Sequence, residues 1–327
     1  VPARNVLQQA DFVAQRILEL HRSGIPLREM AVLYRAHFHS MEVQMEMTRR
    51  GIPFEIRSGI RFFEQAHIKD VTGYLRLIVN PRDELAWKRV LGLYAKIGRV
   101  TAEKIWRHLS ACADPLGTAH GAAFRECAGK SAIPGLGRFQ ETFCALRGAE
   151  STSPPDLIDV ILKNGYRELL RERYTDAASR EEDLLQLANF SSRFSSLDAF
   201  LSELALLTGI TEESHPEEIA EDRVVLTSIH QAKGLEWMAV FMVWCSEGMM
   251  PLARALKGPG GEEEERRLFY VAATRAKDHL YLSYPLTDFA RGMGNLPVSP
   301  SRFIMELAPT SARGEDRPYD QWLIDGE

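Results

Sequence analysis

The chain has 327 residues, 45% of them hydrophobic and 26% charged, with a net charge of −5. That is the composition of a globular protein with room for two domains, and no apolar stretch reaches the roughly 20 residues of a membrane-spanning helix. Charge is uneven along the chain: residues 81–147 hold 11 Lys and Arg against 6 Asp and Glu, and residues 148–222 hold 6 against 17. Such a basic stretch permits a local nucleic-acid surface on an acidic protein, and equally permits solvated helix faces. Cys112, Cys127, Cys144 and Cys245 show neither CxxC spacing nor histidines at metal-site intervals, which predicts free thiols and no bound metal. The sequence opens at Val1 in mid-pattern, so a fragment of a longer protein is expected.

In chain order, residues 11–21 carry apolar side chains at the 3.6-residue period of an amphipathic helix, ended by Gly24 and Pro26. A short apolar strand over 30–33 stops at Tyr34-Arg35. Ser40 is expected to cap a helix that runs to Arg50, and 54–56 reads as a strand followed by a turn at Gly59 and a helix over 66–78. Strands alternating with helices predict a parallel α/β sheet. After Asn80-Pro81 the pattern changes. Segments 85–94, 101–109, 136–146, 157–172, 181–191 and 197–207 all read as helices, with a Ser/Thr/Pro linker at 151–155 and an acidic stretch at 211–222. Strand patterns return at 224–227, 238–245 and 280–284, with a helix beginning in the acidic run 262–265 and a short one over 301–307. The expected organisation is an α/β domain over 1–73 and 220–307, an all-helical insertion over 74–219, and a tail over 308–327.

The stretch most charged with chemistry lies between the strands at 224–227 and 238–245. Thr227, Ser228, His230, Gln231, Lys233 and Glu236 surround Gly234, a residue free to take backbone geometry that others resist. A buried core needs none of these polar groups there, so the loop is expected to bind a ligand. Tyr34-Arg35 ends one strand. Arg275 ends the helix before the last strand, on the same face as Leu268, Val271 and Ala272. Ligands of open α/β sheets bind beyond the carboxyl ends of the strands, and two arginines converging there would suit a phosphate. Arg275 could alternatively pair with helix carbonyls, and Arg35 with a carboxylate. Gly129-Lys130-Ser131 imitates the end of a P-loop, but Phe124 stands where its first glycine is required. No GxSxG, HExxH or GxGxxG occurs either.

Four motifs in order carry a family resemblance. LTSIHQAKGLEW with EGMMP resembles motif V of the UvrD/Rep/PcrA group of superfamily 1 helicases, and EEEERRLFYVAATRAKDHLYLS resembles motif VI. VLYRAHFHS is similar to motif IV, and GIPFEIRSGIRFFEQAHIKD to motif IVa. His67, Ser58 and Met250 depart from the usual pattern. The resemblance implies a RecA-like domain, the second of two, interrupted by a mostly helical insertion. It implies the C-terminal half of an ATP-dependent 3′→5′ DNA helicase of the bacterial cytoplasm, acting in repair or replication.

By the same resemblance, Arg275 is the arginine finger and Arg35 a second γ-phosphate contact. Tyr34 stacks near the adenine, Glu236 holds the ribose, and Gly234 shapes the nucleotide-side loop. Thr227, His230 and Lys233 serve single-stranded DNA. KIGRVTAEKI resembles a turn that meets duplex backbone, which assigns Lys96, Arg99 and Thr101 to DNA at a single-strand/double-strand junction. The P-loop and the ligands of Mg2+ belong to the family's first RecA-like domain, the expected partner, so ATP and Mg2+ would be bound mainly outside this chain. Repair proteins are further expected partners. The competing expectations are a non-catalytic DNA-binding or partner-docking module and, less favoured by the short tail, a RecB/AddA-type helicase–nuclease subunit.

Overall fold

A computed structural model describes residues 1–57, 62–121, 124–125, 128–149, 153–209, 222–290 and 294–307. The expected turn at Gly59, position Ser58, nearly all of the acidic stretch and the tail lie outside them. The chain divides into two compact units, Val1–Phe62 with Ile210–Glu327, and Phe63–Gly209. The boundary expected at residue 74 falls inside a helix, Ala66–Val79, which lies wholly in the second unit.

The first unit is built on a parallel five-stranded sheet. Its strands, named here together with the short flanking ones, are β1 (Pro2–Ala3), β2 (Met30–Tyr34), β3 (Phe54–Ile56), β4 (Val224–Ser228), β5 (Trp237–Met242), β6 (Ala276–Leu282), β7 (Tyr284–Pro285), β8 (Thr287–Ala290) and β9 (Gly294–Pro297). The central order is β3-β4-β2-β5-β6. β1 pairs in parallel with β7, and β8 with β9 form a hairpin that the sequence reading did not anticipate.

The period of two in a strand divides the core. Met30, Val32 and Tyr34 of β2 join Leu226, Ala239 and Phe241 on the face covered by helices Val6–Arg22 and Met41–Arg49. Ala31, Leu33, Val225, Val240 and Met242 lie on the other face, against Leu268, Phe269 and Ala272 of helix Gly261–Ala273. Burial of both faces explains why these strands read as continuous apolar runs. Asn5 starts the first helix by accepting a hydrogen bond from the Gln8 N–H at 3.0 Å. Ser40 does not act as the expected cap; its hydroxyl turns back to the His37 carbonyl at 2.7 Å.

The second unit contains only helices among its described residues. The segment expected as one helix over 157–172 is two, Pro154–Ile161 and Arg167–Arg173. They are separated where Asn164 and Gly165 leave helical geometry, with Gly165 at φ 119°. Its core packs the rings of Trp87, Tyr94, Phe139 and Phe143 together, with Phe139 and Phe143 stacked at 5.2 Å and the others tilted or edge-on. The buried polar groups of Asp70, Tyr74, Tyr94, Tyr166 and His67 are partnered, as desolvation requires. Asp70 accepts from Arg89 Nε at 2.8 Å and from the Tyr166 hydroxyl at 3.0 Å, and the Tyr74 and Tyr94 hydroxyls meet at 2.5 Å. His67, the departure in motif IVa, is fully buried between Asp183 (3.2 Å) and Arg180 (3.0 Å).

Candidate nucleotide and nucleic-acid interfaces

The polar loop after β4 is a crossover. β4 and β5 lie on either side of β2, all three parallel. The chain from Ser228 to Trp237 must therefore pass from the carboxyl end of the sheet to its amino end, across the face of β2. Ile229 and Ala232 are buried and anchor it, while His230, Gln231, Lys233, Gly234 and Glu236 are exposed. The Ile229 N–H donates to the Tyr34 carbonyl at 3.0 Å, and tight turns follow through Ala232 N–H to Ser228 O (3.1 Å) and Leu235 N–H to Ala232 O (3.1 Å). Gly234 has φ +84°, where a side chain would be strained.

At the carboxyl end, the first residue past β2 is Arg35. Its Nε and Nη2 both donate to the Glu265 carboxylate, at 3.0–3.1 Å and 2.7 Å. Glu265 also accepts the Leu252 N–H at 3.0 Å, and its side chain is 2% exposed against 16% for Arg35. His39 is buried beside this pair and stacked on Trp244. Burial, reinforced by the charges of Arg35 and Arg254, lowers its pKa to about 3, so it is neutral at physiological pH. His230 lies on the exposed crest, yet desolvation of its ring, followed by the charge of Arg35, lowers its pKa; Glu265 and Glu264 act in the opposite sense.

Arg275 lies at the other end. It precedes β6, and its carbonyl accepts the N–H of Trp237, the first residue of β5, at 2.9 Å. Its guanidinium donates to the carbonyls of Val271 (2.9 Å) and Leu235 (3.0 Å) and to the Thr274 hydroxyl (3.0 Å). The expected convergence of Arg35 and Arg275 is therefore corrected. A rise of about 3.3 Å per residue along β5 sets the two backbones roughly 20 Å apart. Arg275 is joined instead to the loop residue next to Glu236.

Two other expectations fail for one reason. Tyr34 is 1% exposed and Thr227 fully buried, because strand alternation continues through both and turns their side chains into the two core layers. Neither presents a face to adenine or to DNA. Ser228, half-buried one residue beyond Thr227, is the strand's hydroxyl nearest the loop. Glu265 was missed as part of the site because it sits in a run of four acids that reads as dipole complement. Its burial, at i+4 from Gly261 and three residues before Leu268, was nevertheless implicit in the helical period.

In the second unit, Lys96, Gly98, Arg99 and Val100 are exposed and Ile97 buried around the start of helix Arg99–Ser110. Gly98 provides no side-chain cap, so the first N–H groups of that helix point outward beside two cations, the arrangement that receives phosphate. Thr101 is half-buried in the first turn. Lys96 takes φ 64°, and the turn packs so closely on helix Ile133–Gly148 that a Cβ on Gly135 would lie 2.5 Å from the Ala95 carbonyl oxygen. The lysine of the imitation P-loop, Lys130, follows Gly129 at φ +84° in a single tight turn leading into helix Ile133–Gly148.

The described residues contain no cluster of three metal-ligating side chains, and no helix among them is long and apolar enough to cross a membrane. Comparison with known proteins gives a consistent result. ATP-dependent DNA helicase PcrA of Bacillus subtilis is 32% identical over 318 residues, covering 93% of this chain and 43% of that protein. DNA helicase II of Haemophilus influenzae is 36% identical over 323 residues, covering 93% and 43%, and PcrA of Staphylococcus aureus is 30% identical over 318, covering 91% and 42%. The chain thus spans less than half the length of these relatives. The family model described as the UvrD-like helicase C-terminal domain matches residues 2–117 and 161–287, and passes over the segment between. With its RecA-like parallel sheet and these matches across most of its length, the chain belongs to the UvrD-like helicase C-terminal domain family.

Proposed function

We propose that this chain is the C-terminal portion of an ATP-dependent 3′→5′ DNA helicase or translocase of the bacterial cytoplasm. The observation that carries the reading is the crossover loop, which joins the two polar ends of one sheet and exposes a histidine at one and a carboxylate at the other. At the amino end, Arg275 and Glu236 offer a cation for a phosphoryl group and an acceptor for a ribose hydroxyl. At the carboxyl end, His230, with Lys233 on the crest, faces single-stranded DNA. Lys96, Arg99 and Thr101 meet duplex backbone. These groups fit one side of an ATP site, and the Mg2+ that accompanies ATP is assigned, with the P-loop, to the first RecA-like domain. Bound ATP would supply the energy of hydrolysis. What this chain contributes is charge stabilisation by Arg275, which is oriented by two carbonyls and has no carboxylate among its hydrogen-bond partners in the described residues.

Single-turnover and steady-state ATPase assays test this. The isolated chain is expected to hydrolyse no ATP, and the intact gene product to show DNA-stimulated, Mg2+-dependent hydrolysis with 3′→5′ unwinding. Hydrolysis by the isolated chain that disappears in Arg275→Ala would overturn the half-site reading. An intact protein that binds DNA without hydrolysing ATP would establish the non-catalytic module instead.

A further inference from the structure

We infer that Glu265 is a positioning residue for Arg35, holding that guanidinium with one edge fixed and the other presented to a phosphoryl oxygen. The inference rests on the proposed function, which sets the carboxyl end of this sheet against single-stranded DNA. Arg35 is the first residue beyond a buried strand, with a side chain long enough to point several ways. Glu265 removes that freedom. Its carboxylate takes the Nε–Nη2 edge side-on, in the paired geometry that fixes a guanidinium in plane as well as in distance.

Three features distinguish this pair from the surface ion pairs elsewhere. The carboxylate is 2% exposed, whereas most of the partners in the exposed Arg/Glu pairs of helix Gly261–Ala273 are above 40%. It is held by a third donor, the Leu252 N–H, so it is fixed from a loop as well as from its own helix. And among the described residues Nη1 of Arg35 has no hydrogen-bond partner, while Nε and Nη2 are taken by the carboxylate. A buried ion pair is weak evidence for stability, since desolvation offsets much of the attraction. An arginine buried only to be neutralised would be served as well by an apolar pair. One that must be aimed requires this arrangement.

The phosphoryl oxygen could come from a nucleotide or from a nucleic-acid backbone, and the experiment separates them. Arg35→Ala, Glu265→Gln and the double variant are made in the intact protein. For each, kcat and KM for ATP are measured at saturating single-stranded DNA, together with Kd for a fluorescent oligonucleotide without ATP. Glu265→Gln keeps the shape and removes the charge. Whichever parameter Arg35→Ala worsens identifies the phosphate: kcat or KM for ATP for the nucleotide, Kd for the backbone. Glu265→Gln is expected to worsen that same parameter by roughly 10- to 100-fold, the cost of misplacing a contact by about 1 Å, and to add less than about 2-fold in the Arg35→Ala background. Multiplicative losses in the double variant, or a Glu265→Gln protein that loses thermal stability and leaves that parameter unchanged, would overturn the positioning role. A gain in DNA-independent ATPase in Glu265→Gln would overturn it too, showing that Glu265 restrains Arg35. If Arg35→Ala alters neither ATP kinetics nor oligonucleotide binding, the phosphate role of Arg35 fails first, and the inference with it.

Discussion

The two ends of the β2–β5–β6 sheet each present an arginine, and they hold it differently. Arg35, at the carboxyl end, is fixed by a buried carboxylate; Arg275, at the amino end, is fixed by carbonyls and a hydroxyl. Both arrangements set direction. Only the second leaves the charge uncompensated by its immediate partners. An anion with developing negative charge gains more from the second, because an ionised partner already satisfies part of the field of the first. The amino end is therefore suited to stabilising a transition state, and the carboxyl end to fixing a ligand in register.

The largest expected effect separates these ends. In the intact protein, Arg275→Ala should lower DNA-stimulated ATP turnover by about 10³-fold or more while oligonucleotide Kd in the absence of ATP changes by less than about 2-fold. A turnover loss below about 10-fold would break the assignment of the amino end to the nucleotide.

The next contrast concerns His39, the neutral ring under the carboxyl end. Its folded pKa of about 3 lies below the unfolded value, so the unfolded chain binds more protons between the two. Proton linkage at the ring therefore contributes nothing above about pH 6.5. As pH falls from there towards 3, stability is lost at up to about 1.4 kcal/mol per unit. Urea titrations of wild type and His39→Gln at several pH values should show this component only in the wild type. Parallel pH dependence in the two proteins would place the proton elsewhere.

A smaller effect is expected in the helical unit. Gly135→Ala puts a methyl group against the Ala95 carbonyl and should destabilise by about 1–3 kcal/mol, with weaker duplex binding. Gly137→Ala, at a position with nothing within 4 Å, is the control. If both behave alike, the turn does not depend on that close approach. The smallest effect is electrostatic. Neither Lys96 nor Arg99 forms an ion pair with another described residue, unlike Arg35, so each should act as a simple phosphate counter-charge. Replacing either with Ala should reduce the slope of log K for duplex DNA against log salt by about 0.9, without changing sequence preference.

How much of this could be read from the sequence depended on which property was local. Period and punctuation marked the strands of the central sheet and most of the longer helices, because apolar spacing and Gly/Pro breaks act within a few residues. The strand over 54–56 and the start of the helix at Ala66 match to the residue. Direction across the sheet was not local. Arg35 follows a strand and Arg275 precedes one, and it is the parallel alignment of β2, β5 and β6 in one sheet that sets them at opposite ends. Side-chain orientation failed at Tyr34 and Thr227 for a related reason. Polar groups at the last positions of a strand look available, and only the register shows that they still point into the core. Glu265 was concealed by its acidic neighbours, and the break at Asn164-Gly165 by an apolar period that continues through it.

The short connection between β4 and β5 has a mechanical consequence. Parallel crossovers ordinarily take a dozen or more residues and a helix, which leaves them slack. Here residues 229–236 return the length of a strand with two tight turns and two buried anchors. The connection behaves as a strut: a displacement imposed on His230 cannot be absorbed along the way and reaches Glu236 and the carbonyl that holds Arg275. Lengthening it by even two glycines would preserve every contact group and still uncouple the two ends.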